Sequence, residues 1–232
     1  MSAKDYGQSE IIHFPQFFTT DKDLRRGRRT LYPVVFKRAL DLGLALLILP
    51  PILPVLVVLW IIAKLDGGPG FFGHRRIGQH GKTFRCWKIR TMVPDAETRL
   101  AAHLQNNPAA AAEWDRDCKL TNDPRITKIG AFLRATSLDE LPQIWNVIKG
   151  DMSFVGPRPV VRHEMEKYGQ YRSTYMSVRP GITGVWQISG RNDIDYSDRV
   201  RMDTHYVHTA SLLLDLEIIA KTTRSVFLQT GK

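Results

Sequence analysis

The chain has 232 residues, of which 43% are hydrophobic and 24% charged, a balance that is typical of a folded protein and excludes an intrinsically disordered one. Its formal net charge of +10 at pH 7 indicates a polyanionic partner, such as anionic lipid headgroups, nucleic acid or a phosphorylated substrate. Two cysteines, Cys86 and Cys118, exclude a disulfide-framework protein and fit a reducing compartment.

The N-terminal stretch Met1–Thr30 is polar, lacks hydrophobic periodicity and has no apolar core of the kind that a signal peptide needs. Its last third is basic, with Lys22, Arg25, Arg26, Arg28 and Arg29. We interpret residues 1–33 as a basic flexible tail that lies on an anionic membrane surface. A tail that is merely solvated is the open alternative.

A long apolar run follows the tail. Leu42–Ala63 holds 22 residues without a charged or strongly polar side chain, enough to cross a bilayer once as a helix. Pro50, Pro51 and Pro54 lie in the middle of this run. Each proline removes a backbone donor and clashes with the preceding turn, so we predict a sharp break at Pro50 or Pro51.

The charges on both sides of the apolar run oppose a single crossing. Residues 22–38 hold seven Lys or Arg, and residues 64–90 hold seven more. Since positive flanks prefer the cytoplasm, both ends are expected on that side. We therefore predict a proline-broken re-entrant membrane helix over residues 34–66. The alternative is a buried core helix of a soluble protein.

A β-hairpin is predicted after the apolar run. Phe71-Phe72 and Phe84–Ile89 have strand-like composition, and the turn is expected near residues 79–81. Lys88 and Arg90 fall on one face of the second strand because side chains alternate along a strand. Two cations on one face suit the binding of a diphosphate, although a solvated face is the commoner reason for such a pair.

The rest of the chain is predicted to be mainly helical, with a glycine-punctuated loop at residues 179–192 that lines the site. The seven histidines have no metal-ligand spacing. The predicted helices are Asp95–Asn106, Ala109–Lys119, a short one before Arg134, one beginning at Asp139-Glu140 and ending at Lys149, His163–Val178, Ser197–His208 and Ser211–Leu228.

An adjacent carboxylate pair, Asp139-Glu140, lies at the start of the helix that ends at Lys149. A carboxylate at a helix N-terminus beside a fixed guanidinium suits phosphate chemistry. The alternative is structural, because Ser137 and Glu140 have the spacing of a capping box and Asp139 is favourable near the positive end of the helix dipole.

The turn Gly156–Pro159 follows that helix and presents Arg158 between Pro157 and Pro159. Proline fixes the backbone on both sides of the arginine, so its guanidinium is held in place. A guanidinium binds phosphate oxygens in a bidentate manner, which makes Arg158 a candidate phosphate-binding residue.

Several motifs in the same order resemble the bacterial sugar transferase family, the monotopic polyprenyl-phosphate hexose-1-phosphate transferases. The resemblance covers roughly residues 34–230, and the number and order of the motifs make it specific. In chain order the motifs are FKRALDL, KIRTM, SLDELPQ, NVIKGDMSFVGPRP, RPGITG and SGRN.

The resemblance implies an α/β monotopic membrane protein with a re-entrant helix and a mostly helical cytosolic catalytic domain, residues 67–232, that contains a small β-hairpin. It implies transfer of a hexose-1-phosphate from a UDP-sugar to undecaprenyl phosphate with release of UMP, in exopolysaccharide assembly. The implied catalytic residues are Asp139, as nucleophile, and Glu140, with Asp139 or Glu140 as Mg²⁺ ligand. The implied substrate-binding residues are Arg134, Arg158, Pro157, Pro159, Lys88, Arg90, Arg179 and Arg191.

The helix dipole is expected to keep Asp139 ionised near neutral pH. The implied location is the cytoplasmic membrane of a bacterium, with the catalytic domain on the cytoplasmic face and anionic lipid as a further partner. The donor is expected to be UDP-galactose or UDP-glucose, and a homo-oligomer is left open. A non-catalytic membrane scaffold is the alternative function. A nucleic-acid-binding protein is not favoured, because the charge comes without any recognised binding signature.

Overall fold

A computed structural model describes residue 32 and the ranges 36–117, 119–189 and 194–227. The predicted basic tail over residues 1–33 lies outside the described residues apart from Tyr32, and Cys118 lies outside them too. The described part is mostly helical and contains a small antiparallel hairpin, as predicted.

The α-helices of the described residues follow one another along the chain as α1 Lys37–Lys64, α2 Ala96–Asn106, α3 Pro108–Asp117, α4 Lys128–Ala135, α5 Gln143–Lys149, α6 Arg172–Met176, α7 Val185–Ile188, α8 Tyr196–Thr209 and α9 Leu212–Phe227. The strands are β1 Phe71–Ile77, β2 Thr83–Ile89, β3 Ser153–Val155 and β4 Gly181–Thr183. Short 3₁₀ segments lie at Gln79–Gly81, Leu138–Glu140 and Glu164–Tyr171.

The predicted hairpin is present. β1 and β2 pair antiparallel from Phe71 opposite Ile89 to Ile77 opposite Thr83. The turn between them contains His80 at φ 58°, a left-handed conformation that histidine adopts more readily than bulky or β-branched residues. The first strand extends well beyond the predicted Phe71-Phe72.

A second, parallel pair of strands was not predicted. β3 and β4 pair through Ser153 with Gly181 and Val155 with Thr183. A side chain at position 181 would meet the amide nitrogen of Gly156 at 2.1 Å, so this close approach of two backbones requires glycine. The pairing brings Gly156 against Gly181 and Gly184. The loop predicted over residues 179–192 is therefore wrong in part, since β4 and α7 lie within it.

Helix α1 runs without interruption through Pro50, Pro51 and Pro54, so the predicted break at Pro50 or Pro51 is not present as a gap in the helix. Within the described residues α1 is the one helix long and apolar enough to cross a membrane. Just 17% of its most apolar 18-residue window is buried within the protein, which argues against a soluble core helix. The re-entrant hairpin stays a prediction.

The N-terminal end of α1 is tied to the rest of the protein by three charged side chains. Lys37 forms an ion pair with Asp215 of α9. Arg38 donates from its guanidinium to the carbonyls of Val147 at 2.6 Å and Ile148 at 2.9 Å, near the C-terminus of α5. Asp41 accepts hydrogen bonds from Ser153 and from the Phe154 amide.

The C-terminal end of α1 is tied to the hairpin. The Arg90 guanidinium forms an ion pair with Asp66 and donates to the carbonyl of Ala63. Between the two ends, Leu56, Leu59 and Ala63 are buried against a cluster that includes Ile89 and Leu133. Both ends of α1 therefore contact the same body of the protein.

The C-terminal helices match the sequence prediction closely, since α8 and α9 lie within about two residues of the expected bounds. The predicted helix His163–Val178 is wrong in part. It divides into the 3₁₀ segment Glu164–Tyr171 and the short α6, because Gly169 adopts φ 49° and interrupts the helical conformation.

Candidate active site

The carboxylate pair lies on a 3₁₀ turn that precedes α5. Ser137 adopts the left-handed conformation, φ 58° and ψ 15°, and Leu138–Glu140 form the turn. The helix begins only at Gln143. The prediction that Asp139-Glu140 start this helix is wrong, because both residues lie on the 3₁₀ turn that precedes it.

The capping interpretation is also not supported. Ser137 makes no side-chain cap hydrogen bond, and neither does the residue before α5. Both carboxylates instead face Lys88 of β2, whose Nζ lies 3.3 Å from Oδ2 of Asp139 and 2.6 Å from Oε1 of Glu140. The pair is therefore held by a cation from the hairpin rather than by the backbone of its own helix.

A buried asparagine holds α5 against the hairpin and so sets the position of this ion pair. Asn146 accepts a hydrogen bond from the Trp87 amide at 3.0 Å and donates to the Arg85 carbonyl at 2.7 Å. Both bonds are made by residues that directly precede Lys88 on β2. A shift of β2 along α5 would break them, so they fix the position of Lys88 relative to α5. The sequence analysis missed this residue.

Asp139 is 5% exposed, and burial raises the pKa of its carboxyl. The charges of Lys88 and Arg134 lower the pKa, but burial has the larger effect. The upward direction of this pKa is opposite to the lowering expected from a helix dipole, since Asp139 lies on the 3₁₀ turn before α5 and not in the first turn of that helix. The nearby cations oppose the rise, as opposite charges within about 4–6 Å do.

Lys88 responds in the opposite sense to the same contacts. Burial lowers the pKa of its ammonium group, whereas Glu140 and Asp139 raise it, and the sum is a raised pKa. Lys88 is thus a persistent positive charge between two carboxylates. Arg134 of α4 completes this cationic surrounding and donates from Nε to Oγ1 of Thr91 at 2.9 Å.

A cavity of about 430 Å³ adjoins the carboxylate pair. Glu140 and Arg158 line it, whereas the Asp139 side chain does not. Volumes of this size are typical of small-ligand sites. The remaining lining residues are Ile48, Ile52, Thr136, Ser137, Leu138, Leu141, Ile144, Phe154, Ile182, Thr183, Trp186, Gln187 and Thr222.

Arg158 projects from a turn whose backbone is fixed. Pro157 and Pro159 are buried on either side of the exposed arginine. The Gly181 amide donates to the Pro157 carbonyl at 2.8 Å, which attaches the turn to β4. The Arg158 guanidinium lies 5.6 Å from the centre of the Trp186 ring, close enough for a cation–π contact. The prolines thus hold the arginine, as the sequence indicated.

A fully buried carboxyl lies behind this turn. Asp203 of α8 accepts a hydrogen bond from the Tyr168 hydroxyl at 2.7 Å. Burial raises the pKa of Asp203 to about 7, while the Tyr168 hydrogen bond and the amide and charge of Arg158 lower it. The sequence analysis missed Asp203, although a lone carboxyl on the apolar face that holds Val200 and Tyr206 was a readable signal.

A family model described as bacterial sugar transferase matches residues 32–229. The chain belongs to the bacterial sugar transferase family. The match covers all the described helices and strands that build the site, and it agrees with the resemblance seen in the motifs.

Three relatives show how this sugar transferase compares with longer and shorter members. Undecaprenyl-phosphate galactose phosphotransferase from Salmonella typhimurium is 49% identical over 195 residues, 84% of this chain and 41% of that protein. Exopolysaccharide production protein ExoY from Sinorhizobium fredii is 50% identical over 198 residues, 85% of this chain and 88% of that protein. UDP-glucose:undecaprenyl-phosphate glucose-1-phosphate transferase from Escherichia coli is 40% identical over 197 residues, 81% of this chain and 39% of that protein. The chain therefore spans about two fifths of the first and third proteins and most of ExoY.

Two described arginines that were predicted to bind substrate, Arg90 and Arg179, do not line the cavity of this sugar transferase. Arg90 is buried, and its guanidinium holds Asp66 and the carbonyls of Ala63, Pro69 and Met92. Arg179 donates from Nε to the Gly150 carbonyl at 2.8 Å, at the C-terminus of α5. Arg191 lies outside the described residues. Arg90 and Arg179 therefore position backbone segments.

The oxygen atoms of the carboxylate pair are suitable ligands for a Mg²⁺ ion that is bound together with a substrate diphosphate. Such ions are bound by one or two protein carboxylates together with substrate phosphates and water. Glu140 lines the cavity and Asp139 is adjacent to it in the chain. Among the described residues no group of three or more His, Cys, Asp or Glu side chains forms a metal cluster.

Proposed function

We propose that this sugar transferase moves a hexose-1-phosphate from a UDP-sugar to undecaprenyl phosphate, with release of UMP, as the first step of exopolysaccharide assembly. The observation that carries the proposal is the buried Asp139 beside Lys88 and Glu140, next to a cavity with the fixed Arg158. The names of the relatives, which refer to galactose, glucose and exopolysaccharide, support the same reaction class. UDP-galactose or UDP-glucose is the proposed donor.

The reaction proceeds by two displacements at one phosphorus atom. In the first, a carboxylate oxygen of Asp139 attacks the phosphorus that bears the sugar. The bond to the bridging oxygen breaks, and UMP leaves with that electron pair. In the second, an oxygen of undecaprenyl phosphate attacks the same phosphorus, the bond to Asp139 breaks, and the carboxylate is regenerated with the lipid diphosphate sugar as product.

The cations of the site stabilise the negative charge of the phosphates and of Asp139 in these two steps. Arg158 in the cavity binds phosphoryl oxygens through its fork of N–H donors. Lys88 and Arg134 flank Asp139 and favour its ionised form. Glu140 shares Lys88 with Asp139 and also lines the cavity. Substrate entry is expected to draw Lys88 and Glu140 aside and expose Asp139.

Mg²⁺ is proposed as the cofactor, held by Glu140 and Asp139. Bound there, the ion would supply positive charge that neutralises the diphosphate. Arg158 lines the cavity and is the cation proposed to bind the phosphates there. Chelation by EDTA is expected to abolish turnover, and added Mg²⁺ to restore it.

The apolar helix α1 is proposed to anchor the protein as a re-entrant element of the bacterial cytoplasmic membrane. Its two ends are bound to one body, Lys37 and Arg38 at the start and the Asp66–Arg90 pair just after the end. A helix that crossed the membrane would place these ends in different compartments. Together with the basic flanks, this supports a catalytic domain on the cytoplasmic face and contact with anionic lipid.

This topology has a direct test by cysteine labelling. Single cysteines at Ser2 and Thr230, in a chain with Cys86 and Cys118 replaced by serine, should both resist a membrane-impermeant thiol reagent in intact cells. Both should react after permeabilisation, which is the control. Labelling of one terminus alone in intact cells contradicts the proposal and indicates a single crossing. Replacing Pro50 and Pro51 by leucine is expected to favour such a crossing.

The proposed reaction is tested by UMP release without a lipid acceptor. Purified enzyme with Mg²⁺ and each member of a panel of UDP-sugars should release at most about one UMP per chain and then stall, because the intermediate has no acceptor. Adding undecaprenyl phosphate should restart release. A non-catalytic scaffold releases no UMP from any donor, and an enzyme that transfers the sugar alone releases UDP. Release only in the presence of lipid contradicts the covalent mechanism.

The pH profile of this release should depend on Lys88. Asp139 attacks only when ionised, so the rate of UMP release falls as the pH drops through the pKa of the Asp139 carboxyl in the folded protein. Burial already raises that pKa and Lys88 lowers it. Lys88→Gln removes the charge and should move the acidic limb to higher pH by about one unit or more. Single-turnover UMP release across pH measures this. The exposed Lys82 on the hairpin turn provides the control Lys82→Gln, and an unmoved limb in the Lys88 variant contradicts the assignment.

A further inference from the structure

Trp186 of α7 is a cavity residue to which the proposed mechanism gives no role. It is buried, and it lines the cavity together with Arg158. In the parallel pair of β3 and β4, Val155 lies opposite Thr183. Arg158 and Trp186 each follow three positions after these partners, so the register of the two strands brings both residues to the same end of the pair.

The guanidinium of Arg158 contacts the indole of Trp186. The centre of the ring lies 5.6 Å from Cζ of Arg158. Within the part of the chain that the structure describes, Arg158 forms no ion pair, whereas Arg90 is paired with Asp66. A cation–π contact acts on the charge of the guanidinium and engages no oxygen acceptor, so the N–H donors of Arg158 remain available for phosphate oxygens.

A second guanidinium contacts the same indole. Cζ of Arg199, on α8, lies 4.7 Å from the centre of the Trp186 ring. Nε of Arg199 donates to the Ile194 carbonyl at 3.0 Å, so this side chain is itself attached to the backbone. Arg199 therefore holds the indole from α8, and the indole in turn contacts Arg158.

We propose that Trp186 is a positioning residue for Arg158, and that its indole, held by Arg199, orders the guanidinium before a phosphate of the donor binds. This inference rests on the proposed function and adds to it the residues that place the phosphate-binding cation. An arginine side chain loses rotamer freedom when it binds a phosphate, and contact with the indole removes part of that freedom in advance. A cation that is already in place stabilises the transition state without rearrangement.

A double-mutant cycle on single-turnover UMP release, at saturating UDP-sugar, tests this role. Trp186→Leu removes the π face and should slow release about tenfold in the enzyme that keeps Arg158. In an Arg158→Ala background the same change should alter the rate by less than about twofold, because no guanidinium remains to be placed. Trp186→Phe keeps a smaller π face and should slow release by less than about threefold.

A fluorinated indole separates the attraction of the charge from the packing of the ring. Tetrafluorotryptophan in place of Trp186 nearly keeps the shape of the side chain but withdraws π-electron density, so it should slow release about fivefold. This measurement decides the question if Trp186→Leu fails to fold or if Arg158→Ala is too slow to measure. The same fluorinated residue in place of the exposed Trp145, which does not line the cavity, is the control and should leave the rate unchanged.

The contribution of Arg199 is measured in the same assay. Arg199→Met removes the charge that holds the indole and should slow release about threefold. The matched control is Arg201→Met, because Arg201 lies on the same helix and is exposed. We expect the wild-type rate from this control.

Equal slowing by Trp186→Leu in both backgrounds overturns the inference, because it would show that the indole acts through general packing. A wild-type rate in the enzyme with tetrafluorotryptophan in place of Trp186 overturns it as well. A wild-type rate in Arg199→Met overturns the role assigned to Arg199. Absence of UMP release from the wild-type enzyme would instead contradict the proposed function.

Discussion

Asp139→Asn is expected to abolish both lipid-independent UMP release and the covalent hexose-phosphate adduct, with a rate loss of about a thousandfold or more. Asparagine keeps the size of the side chain and can still accept a hydrogen bond from Lys88, so the fold should be retained. It cannot form an acyl phosphate. Mass spectrometry of the peptide that contains Asp139, after incubation with UDP-sugar and Mg²⁺, measures the adduct.

Two further variants sharpen this experiment. Asp95→Asn removes an exposed carboxylate that pairs with Arg99 and does not line the cavity, so this variant should retain full activity. Glu140→Gln should slow turnover strongly but leave the label on Asp139, because Glu140 acts as a ligand or positioning group beside Lys88. An adduct that persists in Asp139→Asn, or that maps to Glu140, shows that the nucleophile is assigned wrongly.

Arg158→Lys is expected to reduce the single-turnover rate by about a hundredfold, even though the charge is kept. The lysine loses the bidentate contact with phosphoryl oxygens, and it loses the planar group that packs near the Trp186 ring. The turn itself should be unchanged, because Pro157 and Pro159 and the bond from Gly181 fix its backbone. Rapid-quench measurement of UMP release gives the rate.

The matched control for this variant is Arg201→Lys. Arg201 is exposed on α8 and pairs with Asp198 at 3.3 Å, a surface contact of small expected value. We expect wild-type rates from it. Near-normal activity of Arg158→Lys would mean that the position needs only a positive charge and that no bidentate contact is made.

The elements that the sequence predicted well have local signals. The β1–β2 hairpin follows from two apolar runs and a turn, and α8 and α9 from helical periodicity. The start of α3 also follows a local rule, since Asn107 accepts a hydrogen bond from the Ala110 amide and Pro108 is the first helical residue. In these segments the residues that decide the structure are within a few positions of one another.

Elements that depend on distant partners were missed or misplaced. β3 and β4 are three residues each and pair only because the chain returns after 28 positions. The left-handed Ser137 and the 3₁₀ turn that follows it have no glycine to signal them, and they move the start of α5 to Gln143. The capping box predicted from Ser137 and Glu140 failed for this reason.

By itself the sequence determined the family, the apolar helix and the identity of the charged residues, because motif order, composition and short-range periodicity are properties of the chain. Only the tertiary structure decided which cations serve the site. Alternation places Lys88 and Arg90 on the same face, yet Lys88 meets Asp139 while Arg90 turns to Asp66 and carbonyls near the end of α1. A buried cation pairs with the acceptors that tertiary packing places next to it. Because those acceptors come from distant parts of the chain, the spacing of residues in the sequence does not predict which acceptor each cation contacts.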